Sequence, residues 1–129
     1  MVFQKKNSFH FGDKMEDITV FLGKKIKRIS VKKVSSFGKI SGLMFRSRET
    51  DTLLFEFDKS KKRSFHSWFV FFPFLVLWID EYNQVLEVRK IKPFTTTILP
   101  SKQFKKVIEI PFSRRNKDII SFFIGDKKI

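Results

Sequence analysis

Apolar and polar residues alternate along much of this chain in short runs, and turn-forming residues separate the runs. Alternation with a period of two is typical of β-strands that bury one face. In the last such run the alternation places Phe104 and Ile108 on one face and Val107 on the other. The predicted strands are residues 17–22, 25–34, 52–57, 75–79, 85–91 and 104–110.

Segments of a different character interrupt these strands. Residues 35–46 (SSFGKISGLMFR) place apolar residues three and four positions apart after a serine, which predicts a short helix. Residues 58–63 (DKSKKR) predict a basic turn, and residues 113–118 predict a polar break or one helical turn. Residues 124–129 predict a turn that leads into a last short strand.

This order of elements predicts the fold class. Many short strands with few helices favour a mostly β protein, either a single compact β-barrel or a distorted β-sandwich with one or two short helices. A length of 129 residues suits one domain. We therefore expect one domain over residues 1–129, in which residues 1–24 form an N-terminal extension or hold the first strand.

Residues 68–79 form the longest apolar run, WFVFFPFLVLWI. It has 12 residues, whereas a membrane-spanning helix needs about 20. Pro73 lies in its middle and would disrupt a helix, and most of the other residues are aromatic or β-branched. We therefore expect no membrane span here, but two core strand segments, residues 68–72 and 74–79, that bend at Pro73 and are covered on both faces.

Composition adds a strong positive charge. The chain has 27 Lys and Arg against 13 Asp and Glu, a net charge of +14 and an isoelectric point near 10.2. This balance favours an anionic partner such as nucleic acid. A bias towards A/T-rich codons could also supply the lysines, but it does not explain the shortage of acids. Without cysteine the chain has no disulfide or thiolate site, and without a secretory signal we expect it in the cytoplasm.

Three segments resemble a known family. GLMFR (residues 42–46), HSWFVFFPFLVLWID (residues 66–80) and IGDKKI (residues 124–129) occur in the order seen in the family catalogued as domain of unknown function 192. The likeness extends over about residues 25–129 and is strongest to the archaeal-type branch. It implies a compact, mostly β domain and no established activity, cofactor or catalytic residue. Leu75 departs from the family pattern, which has an acidic residue at that position.

Candidate catalytic groups are few. His66 opens the apolar run with Ser64 and Ser67 beside it, but neighbouring strand residues point to opposite faces, so these serines do not make a nucleophile site. A lone histidine without cysteines or clustered carboxylates does not make a metal site. The sequence therefore gives no catalytic residue, metal or cofactor and no support for an enzyme. His66 stays a candidate for a ligand pocket at the mouth of the barrel.

The basic residues suggest the first functional hypothesis. We predict a small cytoplasmic protein that binds anionic polymers such as RNA or DNA without enzymatic activity, through phosphate contacts. The alternative is a small-ligand-binding or scaffold domain with a pocket near His66. Exposed aromatic residues would add base stacking, and the candidates are Phe3, Phe9, Phe11 and Phe94. The proposed phosphate-binding residues are Lys59, Lys61, Lys62 and Arg63, followed by Lys24, Lys25, Lys27 and Arg28.

Overall fold

A computed structural model describes residues 15–34, 49–61, 70–95 and 98–125, with backbone alone for residues 58–61. Just over half of this part is strand, in one curled sheet that forms a half-barrel. The sheet order is β1-β2-β3-β6-β4-β5. The strands are β1 (Met15–Leu22), β2 (Lys25–Lys33), β3 (Leu53–Lys61), β4 (Phe74–Ile79), β5 (Val85–Ile91) and β6 (Phe104–Pro111). A 3₁₀ turn (Arg114–Asn116) leads into helix α1 (Lys117–Ile124). The predicted mostly β class is confirmed.

The first hairpin follows from its turn. All of β1 pairs with β2, with Leu22 opposite Lys25, so only Gly23 and Lys24 connect them. Gly23 has φ of 63°, and Lys24 is not among the residues with positive φ. A glycine with positive φ at the first central position is typical of the type II′ turn, which matches the twist of antiparallel strands.

β4 lies between β5 and β6 in the sheet, and all six of its residues are buried. Its side chains alternate between two apolar clusters, one on each face of the sheet. Leu77 lies in the cluster with Ile120 of α1, and Trp78 lies in the cluster with Val70 and Phe72. Burying each such side chain contributes roughly 1.5–3 kcal/mol, so residues 74–79 of the apolar run are core, as predicted, whereas Phe71 of the same run is exposed.

The two edges of the sheet meet at one point. β1 and β5 are the outermost strands, yet Phe21 forms an isolated parallel bridge with Gln84. The Phe21 N–H donates to the carbonyl of Asn83 at 2.9 Å. The curl of the sheet therefore brings its edges together at the turn between β4 and β5, and this contact gives the sheet its partial closure.

Several boundaries differ from the prediction. Residues 70–72 are not a strand, because β4 and its two neighbours pair only from Phe74 onward. β3 continues through the predicted basic turn to Lys61, since an irregularity after Glu56 lets it pair again with Phe104. Residues 114–124 are helical, whereas the sequence predicted a polar break or one helical turn over residues 113–118. Most of the turn and short strand predicted over residues 124–129 lies outside the described residues. The helix predicted over residues 35–46 lies outside the described residues.

The predicted alternation of β6 is wrong at its first residue. Ile108 lies in the cluster that faces α1, whereas Phe104 shares the opposite cluster with Val107. A regular strand would place Phe104 and Val107 on opposite faces. The register shift between Glu56 and Lys61 on the paired strand marks where the regular ladder is interrupted.

Candidate functional site

The two ends of the β4–β5 pair carry different surfaces. At one end, here called the aromatic end, β4 begins at Phe74, opposite Ile91 of β5 and Pro111 of β6. At the other, here called the hairpin end, residues 80–84 connect β4 to β5. The aromatic end consists of Phe71, Lys90, Lys92, Phe94, Arg114 and Arg115.

The Phe94 turn is unusual in its backbone. Phe94 follows Pro93 and has φ of 60°. Proline followed by a residue with positive φ is typical of a type II turn, where the second position normally holds Gly or Asn. The Thr95 hydroxyl donates to the Lys92 carbonyl at 2.8 Å and closes the turn. A left-handed conformation costs about 1–2 kcal/mol for a residue that has a Cβ atom, so this turn is strained.

Phe94 and Phe71 form an exposed aromatic pair. Their ring centroids are 5.4 Å apart with an interplanar angle of 74°, an edge-to-face contact. The two residues remain 52% and 58% exposed. Phe71 precedes β4 and Phe94 follows β5, so the antiparallel pairing of those strands brings the rings together. Phe94 is thus exposed, as base stacking requires.

Positive charge from two segments converges on this end. Lys90 and Lys92 are exposed at the end of β5, and the Lys90 ammonium lies 4.8 Å from the centre of the Phe112 ring. The Phe112 N–H donates to the Pro73 carbonyl at 3.0 Å, which places the residues after β6 beside the start of β4. Arg114 follows there and is exposed.

Acidic residues also lie near this end. The Arg115 guanidinium contacts the Asp51 carboxylate at 2.9 Å, and Glu49 is exposed in the same segment before β3. Asp51 therefore balances the charge of Arg115. Lys90, Lys92 and Arg114 are further cations at the same end of the sheet as the aromatic pair.

The hairpin end is held by a dense set of hydrogen bonds. One Asp80 carboxylate oxygen accepts the N–H groups of Tyr82 at 2.8 Å and Gln84 at 2.9 Å. Asn83 has φ of 66°, a conformation that asparagine tolerates well. Besides accepting from Phe21, it accepts the Lys106 ammonium on its side-chain oxygen at 2.6 Å. Hydrogen bonds with Phe21 and Lys106 therefore account for the positive φ of Asn83.

Tyr82 is the exposed aromatic residue of the hairpin end. It is 73% exposed, and a hydrogen bond with the Glu81 side chain raises its pKa. Its phenol thus has two acidic neighbours, Asp80 and Glu81. Because these carboxylates repel phosphates, the hairpin end is less suited to a phosphate backbone than the aromatic end is.

The second predicted cluster is split by the strand pleat. Lys24 and Arg28 are exposed, and the Arg28 guanidinium lies 4.0 Å from the Asp17 carboxylate. Lys27 is only half exposed, and its ammonium lies 5.5 Å from the centre of the Phe122 ring of α1. The structure therefore places Lys27 against the helix, while Lys25 is exposed beside the turn.

The first predicted cluster lies largely outside the described residues. The backbones of Lys59 and Lys61 belong to the last part of β3, and Lys61 pairs with Phe104 at the start of β6. Lys62, Arg63 and His66 lie outside the described residues, as do Ser64, Ser67, Phe3, Phe9 and Phe11. The pocket near His66 and this cluster both stay predictions.

One further polar cluster serves the fold. The Glu87 carboxylate accepts the backbone N–H of Ser101 at 2.9 Å and the Ser101 hydroxyl at 3.1 Å, and it contacts Arg89. Arg89 also donates to the Leu99 carbonyl at 3.2 Å, and its guanidinium lies 5.1 Å from the centre of the Trp78 ring. Burial alone would raise the pKa of Glu87, but the hydrogen bonds from Ser101 and Arg89 outweigh it and lower that pKa.

The described residues contain no group of three or more His, Asp or Glu side chains that could hold a metal ion. Among the helices of that same part, none is long and apolar enough to cross a membrane. Of the two ends, the aromatic end is the one whose exposed rings and strained backbone have no evident role in holding the fold.

Sequence reasoning had found only part of this surface. Phe94 is a stacking candidate because it lies outside the strongest predicted strands. Phe71 had no such signal, because every neighbour in its run is apolar and the whole run predicts core. Lys92 and Arg114 belong to the aromatic end only because β4 pairs with β5 and β6.

The fold and this surface define a mostly β half-barrel protein with a basic, aromatic end. Residues 19–121 match the model of DUF192, a family described as an uncharacterized ACR, and the chain belongs to that family. The match begins in β1 and ends in α1, so the first hairpin is part of the family domain. No curated protein gives a significant sequence match.

Two solved structures share the fold. A protein of unknown function from Novosphingobium aromaticivorans DSM 12444 has a TM-score of 0.65 and 16% identity, covering 75% of this chain and 73% of that one. A protein from Sinorhizobium meliloti 1021, proposed to be a transcription regulator, has a TM-score of 0.69 and 16% identity, covering 85% of this chain and 89% of that one. At this identity the likeness concerns the fold alone.

Proposed function

We propose that this protein is a non-enzymatic binder of anionic polymers, with nucleic acid as the partner, and that the aromatic end is its principal contact surface. One observation carries the proposal. Two exposed phenylalanines and the cations Lys90, Lys92 and Arg114, from segments far apart in sequence, converge on one end of the sheet. Cations that neutralise phosphates beside aromatic rings that stack on bases are the two elements of nucleic-acid binding on β folds.

The lysine clusters form a second, auxiliary surface in this proposal. Lys59, Lys61, Lys62 and Arg63 would contact phosphates, and so would Lys24, Lys25, Lys27 and Arg28. Phosphate contacts of this kind carry no sequence information, so we expect binding without sequence-specific readout. The cytoplasmic location, the single domain and the likeness to the archaeal-type branch belong to the same proposal.

Three double charge reversals test which surface binds. Lys92→Glu/Arg114→Glu alters the aromatic end, Lys24→Glu/Lys25→Glu the β1–β2 turn, and Lys61→Glu/Lys62→Glu the end of β3. Each changes the net charge by the same amount, so the variants are matched controls for one another. Affinity for a labelled single-stranded oligonucleotide is measured by fluorescence anisotropy over a range of salt concentrations.

We expect the aromatic-end variant to lose the most affinity and salt dependence. For a single strand, each phosphate contact contributes roughly 0.7 to the slope of log K against log salt, so losing two contacts lowers it by about 1.4. The other two variants should change the slope less. Equal losses in all three variants would mean that charge acts over the whole surface, which contradicts a defined binding end.

A further inference from the structure

We infer that Phe94 stacks on an unpaired base, so that the polymer bound by this protein is a single-stranded nucleic acid. The inference rests on the proposed function and deepens it, because it names the form of the polymer and the ring that recognises it. It follows from the backbone of Phe94, from the geometry of the aromatic pair and from the charge beside that pair.

The backbone of Phe94 is the first step. In the described part, Asn83 and Phe94 are the non-glycine residues with positive φ. Asparagine tolerates this conformation, and Asn83 is held by three hydrogen bonds to Asp80, Phe21 and Lys106. Phenylalanine does not tolerate it well, and about half of Phe94 is in water. The Thr95 hydroxyl closes the turn, but burial of the Phe94 ring does not offset the strain, and strain of this kind points to a functional role.

The arrangement of the rings is the second step. An edge-to-face pair with an interplanar angle of 74° brings the edge of one ring to a face of the other. The contact leaves the other ring faces unused, and more than half of each residue is exposed to water. A base can stack on such a face when its own faces are free. The bases of a duplex already stack on their neighbours, so an unpaired base is the ligand that fits.

The charge beside the pair is the third step, and it separates a nucleic acid from an apolar protein partner. Lys92 is two residues from Phe94 and is exposed, and Arg114 is exposed at the same end. A base that stacks on Phe94 places its phosphates at the same end of the sheet as these two cations. An apolar protein surface would gain nothing from them and would have to desolvate them.

Fluorescence anisotropy on the full chain tests the inference with three labelled probes of equal length. They are a single-stranded pyrimidine DNA, the same strand in a duplex, and an abasic strand with the same phosphates. The variants are Phe94→Gly, which keeps the turn, and Phe94→Asn, which also suits positive φ. Tyr82→Ser removes an exposed aromatic ring at the hairpin end and is the matched control. Thermal melting shows whether each variant is folded.

We expect the base-containing single strand to bind at least tenfold more tightly than the abasic strand, and more tightly than the duplex. Stacking contributes roughly 1–3 kcal/mol per base, so Phe94→Gly and Phe94→Asn should each weaken that binding about 5- to 150-fold. Their affinity for the abasic strand should not change, and Tyr82→Ser should bind like the wild type.

Four results would overturn the inference, and they separate it from the function on which it rests. Equal binding of the abasic and base-containing strands would show that bases are not contacted, while polymer binding stands. No binding of any probe at physiological salt would refute the proposed function as well. A loss in Tyr82→Ser rather than Phe94→Gly would move stacking to the hairpin end. Self-association of the wild type that Phe94→Gly abolishes would assign the rings to a second copy.

Discussion

The turns at the two ends of the sheet contain the same backbone conformation for different reasons. Asn83 has φ of 66° and follows the exposed Tyr82, whereas Phe94 has φ of 60° and is itself exposed. The Asn83 turn closes the half-barrel, since it accepts from Phe21 and Lys106. The Phe94 turn holds an exposed ring against another exposed ring. A strained residue is informative about function when its hydrogen bonds and burial do not explain it.

The largest expected effect concerns β4, the strand that both ends share. Leu77 is fully buried, so Leu77→Ala should lower the free energy of unfolding by about 2–5 kcal/mol through lost transfer energy and the cavity left behind. Denaturant unfolding measures this. The binding of Leu77→Ala to the single-stranded probe should fall only as far as its folded fraction falls. A larger or smaller loss of binding would show that the two ends are not built on a common core.

The next effect distinguishes the hairpin end as structural. Asp80→Ala removes the acceptor of two backbone N–H groups. Hydrogen bonds to a carboxylate are among the stronger ones, but the Asp80 carboxylate is partly exposed, so we expect the free energy of unfolding to fall by about 1–2 kcal/mol. Glu81→Ala, one residue away and exposed, is the control and should stay within about 0.5 kcal/mol. Binding to the single-stranded probe should be unchanged in both. A binding defect in Asp80→Ala at full folding would make the hairpin end part of the site.

A smaller effect tests the strain at Phe94. Both Phe94→Ala and Phe94→Gly remove the ring, but alanine keeps the unfavourable positive φ and glycine does not. We therefore expect the glycine variant to be more stable than the alanine variant by about 1 kcal/mol in denaturant unfolding. Equal stability of the two variants would mean that the turn is not strained, and the contrast with Asn83 would fail.

The smallest effect is a dependence on pH. The folded-state pKa of Glu87 is lowered from 4.5, so its contribution to stability is present above that value and is lost as pH falls through the lowered pKa. We expect unfolding curves of the wild type to lose more stability between neutral and acidic pH than those of Glu87→Gln. Parallel losses in both proteins would show that Glu87 does not anchor the segment around Ser101.

Much of the fold could be predicted from local pattern. β4 matched the predicted segment, residues 74–79, because an apolar run of strand length that is buried on both faces has a clear signature. β3 was longer than predicted, because the polar residues after Phe57 read as a turn while the pairing with Phe104 keeps them in the sheet. The helix Lys117–Ile124 was missed, since its polar start looked like a break, although Ile120 lies against the core.

The candidate site was less predictable. Phe94 was recognised as a stacking candidate, but Phe71 and Phe72 are identical neighbours in sequence, and one is 58% exposed while the other is 3% exposed. Only the end of the strand pairing at Phe74 decides between them. The predicted lysine clusters rest on charge alone, and the structure separates Lys27 from Arg28 by placing the first against Phe122.

The sequence by itself determined the strands, the buried centre and the excess of positive charge, because periodicity, side-chain volume and ionisable groups are local properties. Tertiary structure decided which of these residues share a surface. The pairing of β4 with β5 and β6 brings residues 71, 94 and 114 to one end of the sheet, although they are far apart in the chain. Neighbourhood in a curled sheet depends on strand order and register, and one strand's pattern does not contain that information.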